Sequence, residues 1–167
     1  MCWLDCSPSF TSHRHSAPLS TMYRLTTLLA ATLTVFSGFG VLAQNIMTLS
    51  YDNTYDNAAL SLNTVACSDG ANGLESKSPT YTTLGSLPPF PNVGGVFTVT
   101  GYNSTACGTC YAVTYGSTTI HVLAVDASKT GFTVSQEAMN NLTGGHAVQY
   151  GRVYVSFMEV PASTCGL

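Results

Sequence analysis

The stretch 107–125, CGTCYAVTYGSTTIHVLAV, combines a pair of cysteines with two strand patterns. Residues 111–115 form a short strand candidate, and residues 119–125 are apolar enough for a strand that is buried on both faces. The turn signal Tyr115-Gly116-Ser117 separates the two runs. The centre of the chain therefore indicates a β-rich domain.

Further strand patterns lie on both sides of this stretch. Residues 47–51 form a short candidate, residues 96–102 alternate Val and Phe with Thr after the turn signal Gly94-Gly95, and residues 152–160 alternate as well. Residues 87–91 contain three prolines, which cannot donate hydrogen bonds to a ladder, so this segment is excluded from a central strand. Many short strands with closely spaced turns predict a small β-barrel.

Helix signals are sparse. Thr133-Val134-Ser135-Gln136 resembles a capping box, apolar residues follow it at helical spacing, and the pattern stops at Gly144-Gly145. We therefore expect one or two short helices in a mainly β domain.

Four cysteines follow an N-terminal export segment: Cys67, Cys107, Cys110 and Cys165. In an oxidising compartment such cysteines more often staple a small domain than bind metal or shuttle electrons, and no second ligand pair completes a zinc site. Three pairings are formally possible. Because Cys107 and Cys110 are three residues apart, an extended stretch would point them to opposite sides, towards separate partners. We expect Cys67–Cys107 and Cys110–Cys165, with no metal and no cofactor.

The export segment precedes a single domain at residues 44–167. Residues 22–43 start with the basic Met22-Tyr23-Arg24, continue as an apolar run and end at Ala43, which predicts a secretory signal peptide cleaved between Ala43 and Gln44. Polar residues dilute the run and no basic flank follows it, so we expect no stable membrane insertion after cleavage. Residues 1–21 are interpreted as an upstream extension, and either Met1 or Met22 is the initiator.

The composition of residues 44–167 restricts the class of partner. Seven acidic and three basic side chains give a net charge of −4. Three dispersed cations cannot release counterions from a phosphate backbone, so no nucleic-acid partner is expected. A surface of Ser, Thr, Asn, Gly and Tyr suits neutral, hydroxyl-rich ligands. Two sequons make Asn103 and Asn141 candidate glycosylation sites.

Asp126 is the best single candidate for chemistry, because it ends a buried strand and opens the polar loop 126–131. Its structural alternative is an Asx turn that caps this loop. Hydrolysis of a glycosidic bond normally needs two carboxylates. No other acid has a spacing that implies partnership with Asp126; those considered are Asp52, Asp56, Asp69 and Glu137. We therefore expect no catalytic residue.

A series of ordered motifs resembles the cerato-platanins, small proteins secreted by filamentous fungi. The motifs are Leu49-Ser50-Tyr51-Asp52, Val65-Ala66-Cys67-Ser68-Asp69-Gly70, Phe90-Pro91-Asn92-Val93-Gly94-Gly95, Cys107-Gly108-Thr109-Cys110, Val125-Asp126, Gly131-Phe132 and Cys165. The resemblance implies a six-stranded double-ψ β-barrel with the same two disulfides. Two positions depart from the family pattern: Tyr111 stands where Trp is frequent, and Thr133 where Asn is frequent.

The resemblance also implies a function. It implies binding of oligomers of chitin-type N-acetylglucosamine or another cell-wall glycan in a shallow groove, and non-hydrolytic loosening of wall polysaccharides. It also implies elicitation of plant defence through a plant receptor, and self-assembly at interfaces. The protein would be secreted, extracellular and associated with the cell wall. The residues implied for the groove are Asp126, Ser128, Gly131, Phe132 and Thr133, and we extend it to Tyr51 and Asp52.

Our leading hypothesis is a carbohydrate-binding, expansin-like protein that cleaves no bond. One alternative is a weak barrel-type polysaccharide hydrolase that uses Asp126 as general acid. The other is a surface-active or signalling protein whose sugar binding is incidental.

Overall fold

The computed structural model describes residues 45–167. The upstream extension, the signal peptide and its cleavage site lie outside these residues. No helix within the described range is long and apolar enough to cross a membrane.

Six strands close into a barrel, in the order β1-β5-β2-β4-β3-β6. The pairs β1–β5 and β2–β4 are parallel, and the other four pairs are antiparallel. This closed, mixed barrel confirms the predicted six-stranded fold. The strands are β1 (Asn45–Tyr51), β2 (Val93–Val96), β3 (Cys110–Tyr115), β4 (Thr118–Ala127), β5 (Phe132–Val134) and β6 (Arg152–Val160).

Two short α-helices lie between β5 and β6: α1 (Gln136–Thr143) and α2 (Ala147–Tyr150). Helix α1 ends at Thr143 and is capped by Gly144, whose φ of 66° lies in the left-handed region, so the predicted stop is confirmed. The predicted start is wrong by two residues. Ser135, not Thr133, is the N-cap, and its hydroxyl accepts a hydrogen bond from the Ala138 N–H at 2.9 Å. Thr133 could not cap the helix because it lies in β5, where it pairs with Gly95 of β2.

The strand predicted at 96–102 is also wrong, because the observed strand β2 ends at Val96. From Phe97 onwards the chain forms turns, one of which is closed by a hydrogen bond from the Val99 N–H to the Val96 carbonyl at 3.0 Å. The predicted turn residue Gly94 lies inside β2. A Cβ at Gly94 would lie 2.2 Å from the Thr133 carbonyl oxygen, so only glycine allows β5 to approach this closely.

An aromatic cluster fills the barrel interior. Phe132 is fully buried, and its ring makes edge-to-face contacts with Phe97, Tyr111 and Phe157 at centroid distances of 5.9, 5.6 and 5.3 Å. Tyr111 is buried with its hydroxyl 2.8 Å from Thr98 Oγ1, so its polar end is satisfied. Burial raises the pKa of Tyr111 above its ordinary value.

Both expected disulfides are confirmed. Cys67 is bonded to Cys107 with a Cα–Cα distance of 5.3 Å, and Cys110 to Cys165 with 5.8 Å. All four cysteines are buried. The two bridges meet at the start of β3, where they attach the long β1–β2 connection and the C-terminus to the barrel.

Candidate functional site

Asp126 is the penultimate residue of β4, and three protein donors hold its half-buried carboxylate. Its Oδ2 accepts from the Tyr55 hydroxyl at 3.0 Å. Its Oδ1 accepts from the backbone N–H groups of Ala66 at 3.0 Å and Ala127 at 2.8 Å. These partners differ from the Asx turn considered as the structural alternative, because the carboxylate joins a distant segment to β4. A carboxylate offers about four acceptor positions, so Oδ2 retains one for an external donor.

A 3₁₀ turn at Asn53–Asp56 positions Tyr55 next to Asp126. Asp52 caps this turn by accepting from the Thr54 N–H at 2.8 Å, and this hydrogen bond holds the pKa of Asp52 below its ordinary value. Tyr55 itself is only 7% exposed. Burial, followed by the negative charge of Asp126, raises the pKa of Tyr55 well above its ordinary value. The phenol therefore stays protonated and acts as a fixed donor to Asp126.

Gly95 lies on β2, between the two strands that carry Asp126 and Thr133. In the sheet register it pairs with Asp126 on β4 and with Thr133 on β5. A Cβ on Gly95 would lie 2.9 Å from the Ala127 carbonyl oxygen and 3.3 Å from the Tyr55 hydroxyl. The absence of a side chain therefore leaves the space that the Tyr55 hydroxyl occupies.

The loop after β4 supplies hydroxyl groups beside this carboxylate. Ser128 Oγ lies 3.1 Å from Thr133 Oγ1 and 3.3 Å from the Thr130 carbonyl oxygen. Ser128 has one hydroxyl proton, so when it donates to Thr130, Thr133 donates to Ser128. Thr133 Oγ1 then keeps a lone pair that can accept from a ligand.

Gly131 fixes the end of this loop against β1. Its φ is +63°, and an added Cβ would lie 2.0 Å from the Thr48 carbonyl oxygen. The Gly131 carbonyl in turn accepts from the Phe97 N–H at 3.0 Å. The loop is thus held by backbone contacts on two sides, which keeps its hydroxyl groups in place.

The structure brings together most of the residues implied by the resemblance, but not all of them. Asp126, Ser128 and Thr133 form one polar surface, which we call the Asp126 surface, and Gly131 supports it. Asp52 is exposed and lies near this surface, because its N–H donates to the carbonyl of Val134, the residue after Thr133, at 2.9 Å.

One residue implied by the resemblance, Phe132, and one residue of our extension, Tyr51, do not face this surface. The Phe132 side chain is 0% exposed and packs in the core, so it cannot touch a ligand. Tyr51 has the same strand parity as buried Leu49 and packs against the core cluster, away from the outward-facing Ser50 and Thr133.

Sequence reasoning missed three contributors to the site: Tyr55, Gly95 and the N–H of Ala66. Only Gly95 has a local signal, because glycine within a strand can mark close backbone approach. Nothing local to Ala66 indicates a partner in β4.

The other candidate acids make structural contacts of their own. Asp56 accepts from the Gln136 and Glu137 N–H groups at 3.0 Å each, so it holds the start of α1. Asp69 accepts from the Ser68 hydroxyl at 3.3 Å and raises the pKa of Tyr102 through a hydrogen bond. Among residues 45–167, no group of three or more His, Cys, Asp or Glu is arranged to bind a metal ion.

The two sequons lie in different environments. Asn141 is exposed on α1. Asn103 is half-buried with a φ of 56°, and its side-chain oxygen accepts from the Asn72 N–H at 2.9 Å. Glycosylation at either residue stays a prediction.

Comparison with known proteins agrees with this architecture. The cerato-platanin family model matches residues 47–167. The heat-stable 19 kDa antigen of Coccidioides immitis (strain RS) is 48% identical over 119 residues, which cover 71% of this chain and 80% of the relative. The crystal structure of cerato-platanin 3 from M. perniciosa is similar at a TM-score of 0.70 and 48% identity, covering 74% of this chain and 100% of that one. The solution structure of the fungal elicitor Cerato-Platanin is similar at a TM-score of 0.63 and 41% identity, covering 71% of this chain and 95% of that one.

Proposed function

Because the chain belongs to the cerato-platanin family, we propose that it is a secreted carbohydrate-binding protein that cleaves no bond. Its ligands are chitin-type N-acetylglucosamine oligomers, and they bind at the Asp126 surface. One structural relative is the fungal elicitor Cerato-Platanin, which supports a further role in eliciting plant defence through a plant receptor.

The observation that carries this proposal is the hydrogen bonding of Asp126. Three protein donors hold its carboxylate, and one acceptor position on Oδ2 is free. An oxygen with an unused lone pair accepts a hydrogen bond from any donor that reaches it, and this needs no proton transfer. Asp126 is therefore suited to accept a hydrogen bond from a sugar hydroxyl or an acetamido N–H.

Loosening of wall polysaccharides follows from the same chemistry. A fixed acceptor at Asp126 and an acceptor hydroxyl at Thr133 compete for the hydrogen bonds that hold glycan chains together. This competition needs no proton transfer and no second carboxylate. A protein acting in this way is located outside the cell, in contact with the wall.

The test is a titration with chitin oligomers that follows backbone amide chemical shifts. Asp126→Asn is the informative variant. Its side-chain oxygen can still accept from Ala66 and Ala127, but an amide nitrogen at the Oδ2 position donates rather than accepts. We expect the affinity to fall at least about tenfold.

The control for this titration is Asp69→Asn, which changes an exposed acid outside the Asp126 surface and should leave the affinity unchanged. Wild-type protein that shows no shift around Asp126 would refute the binding site. A reducing-sugar assay on the same samples addresses the hydrolase alternative, and turnover that Asp126→Asn abolishes would support that alternative instead.

A surface-active role has one observation in its favour. Several large apolar or aromatic side chains on β1 and β6 are exposed: Ile46 at 66%, Tyr154 at 75% and Met158 at 56%. If this role is primary, film formation at an air–water interface will survive Asp126→Asn while glycan binding is lost.

A further inference from the structure

We propose that a tyrosine-lined groove next to the Asp126 surface is a second subsite for the same glycan. This inference rests on the proposed function, because the two surfaces would share one oligosaccharide. The groove has a volume of about 530 Å³ and is lined by Tyr115, Gln149, Tyr150, Arg152, Val153 and Tyr154. That volume falls within the range of small-molecule sites.

The rings of Tyr150 and Tyr154 are accessible, and contacts on the protein side hold the Tyr150 ring in position. Tyr154 is 75% exposed and Tyr150 is 42% exposed. The Tyr150 ring stacks on His146 at 5.4 Å with an interplanar angle of 16°, and its centroid is 6.3 Å from that of Tyr115. Since His146 Nδ1 is 2.9 Å from the Thr143 carbonyl oxygen, the ring behind Tyr150 is itself fixed. A ring already held in place loses little conformational entropy when a ligand packs on it.

The polar groups of the groove match a neutral sugar. Arg152 donates only, and the phenol and Gln149 groups both donate and accept. No carboxylate lines the groove, so ligand oxygens meet no repulsive charge. With Arg152 as its single cation, the groove lacks the clustered positive charge that a polyanion needs. Tyrosine faces with a few directional polar groups are therefore better suited to a pyranose ring.

Arg152 connects this groove to the Asp126 surface. Its Nη1 lies 3.5 Å from Thr130 Oγ1 and 3.5 Å from Thr48 Oγ1. The Thr130 carbonyl accepts from Ser128, which belongs to the Asp126 surface. Polar contacts thus link one site to the other through Arg152, Thr130 and Ser128, so one oligosaccharide can contact both.

The experiment is a chain-length series of chitin oligomers from the dimer to the hexamer. Affinity is measured by calorimetry, and contacts by chemical-shift mapping. For the wild-type protein we expect affinity to rise with length, and the longer oligomers to shift resonances at both Asp126 and Tyr150. Tyr150→Ala and Tyr154→Ala should each weaken hexamer binding roughly two- to tenfold and leave dimer-induced shifts at Asp126 intact.

The matched control is Tyr102→Ala, because Tyr102 is 65% exposed and does not line the groove. Chemical-shift changes at Asp126 with none in the groove, for oligomers of every length, would overturn the subsite and leave the proposed function standing. Shifts in the groove with none at Asp126 would support the groove as a glycan site and refute the Asp126 surface. Groove shifts that depend on protein concentration and not on glycan would overturn the subsite, since they would mark a contact between copies of the chain.

Discussion

Tyr55 shows how a single side chain connects the scaffold to the site. Its hydroxyl contacts Asp126 across 71 residues of sequence. The ring is buried, so the phenol loses hydration and keeps its proton, and the hydrogen bond fixes the carboxylate that would accept from a ligand.

We predict that Tyr55 makes the fold sensitive to alkaline pH. The pKa of Tyr55 is raised in the folded protein, whereas in the unfolded chain it is about 10. The stabilisation is therefore complete below about pH 10 and is lost as the pH rises towards the folded pKa. Tyr55→Phe should reduce the decline in the free energy of unfolding above this pH, as measured by urea denaturation between about pH 8 and pH 11.

The control for this prediction is Tyr154→Phe, which removes a hydroxyl from an exposed ring. It should leave the alkaline decline as in the wild type. If the free energy of unfolding of Tyr55→Phe falls with pH as steeply as that of Tyr154→Phe and the wild type, the fold does not hold the phenol of Tyr55 in its neutral form.

Sequence reasoning singled out Asp126 as a candidate and did not connect Tyr55 to it, for a physical reason. Asp126 is marked by its own neighbours, since it ends a buried run and opens a polar loop. Tyr55 belongs to the site only through a contact 71 residues away, and nothing in its local pattern separates it from the other tyrosines. Residues whose role is set by a distant partner require the fold.

At the scale of elements, the short strands show the same limit. Strand β4 was recognised from the apolar pattern of residues 119–125, although the prediction was one residue short at its N-terminal end and two residues short at its C-terminal end. Strand β5 has three residues, too few for a period to show, and β2 contains two glycines that indicate a turn. Both exist because neighbouring strands pair with them on each side.

Gly131 offers a test of how tightly these elements are held together. Gly131 and Gly116 have almost equal φ angles, +63° and +59°, so alanine meets a similar backbone cost at each position. Gly116 has nothing within 4 Å of an added Cβ, whereas Gly131 faces the Thr48 backbone. We predict that Gly116→Ala costs about 1–2 kcal/mol of unfolding free energy, and that Gly131→Ala costs at least about 3 kcal/mol or prevents folding.

Urea denaturation of the two variants measures this difference directly. Since the backbone cost cancels in the comparison, the excess for Gly131→Ala reports the contact between the loop and β1. Equal losses of stability would show that β1 can move away from the loop at little cost.

At the scale of the whole molecule, the long connection between β1 and β2 is the unusual feature. Residues 52–92 contain no barrel strand, and a segment of this length is normally a poor way to build a small domain. Here it is anchored by the Cys67–Cys107 bridge and by the Cys67 N–H, which donates to the Val125 carbonyl at 3.1 Å. The cysteine pattern predicted the bridges, but the placement of this segment beside Asp126 depends on the assembled barrel.

The two disulfides should therefore differ in function although they are similar in energy. Their sequence separations are 40 and 55 residues, and the chain-entropy model gives about 4 kcal/mol for each. The Cys67–Cys107 bridge holds the segment whose Ala66 N–H bonds to Asp126, whereas Cys110–Cys165 attaches the C-terminus to β3.

We predict that the double variant Cys67→Ala/Cys107→Ala loses both stability and glycan affinity. Cys110→Ala/Cys165→Ala should lose a similar free energy of unfolding and retain affinity, when both are assayed well below their unfolding midpoints. Equal affinity in the two variants would show that the site does not depend on the anchored segment, and that Ala66 reaches Asp126 without the bridge.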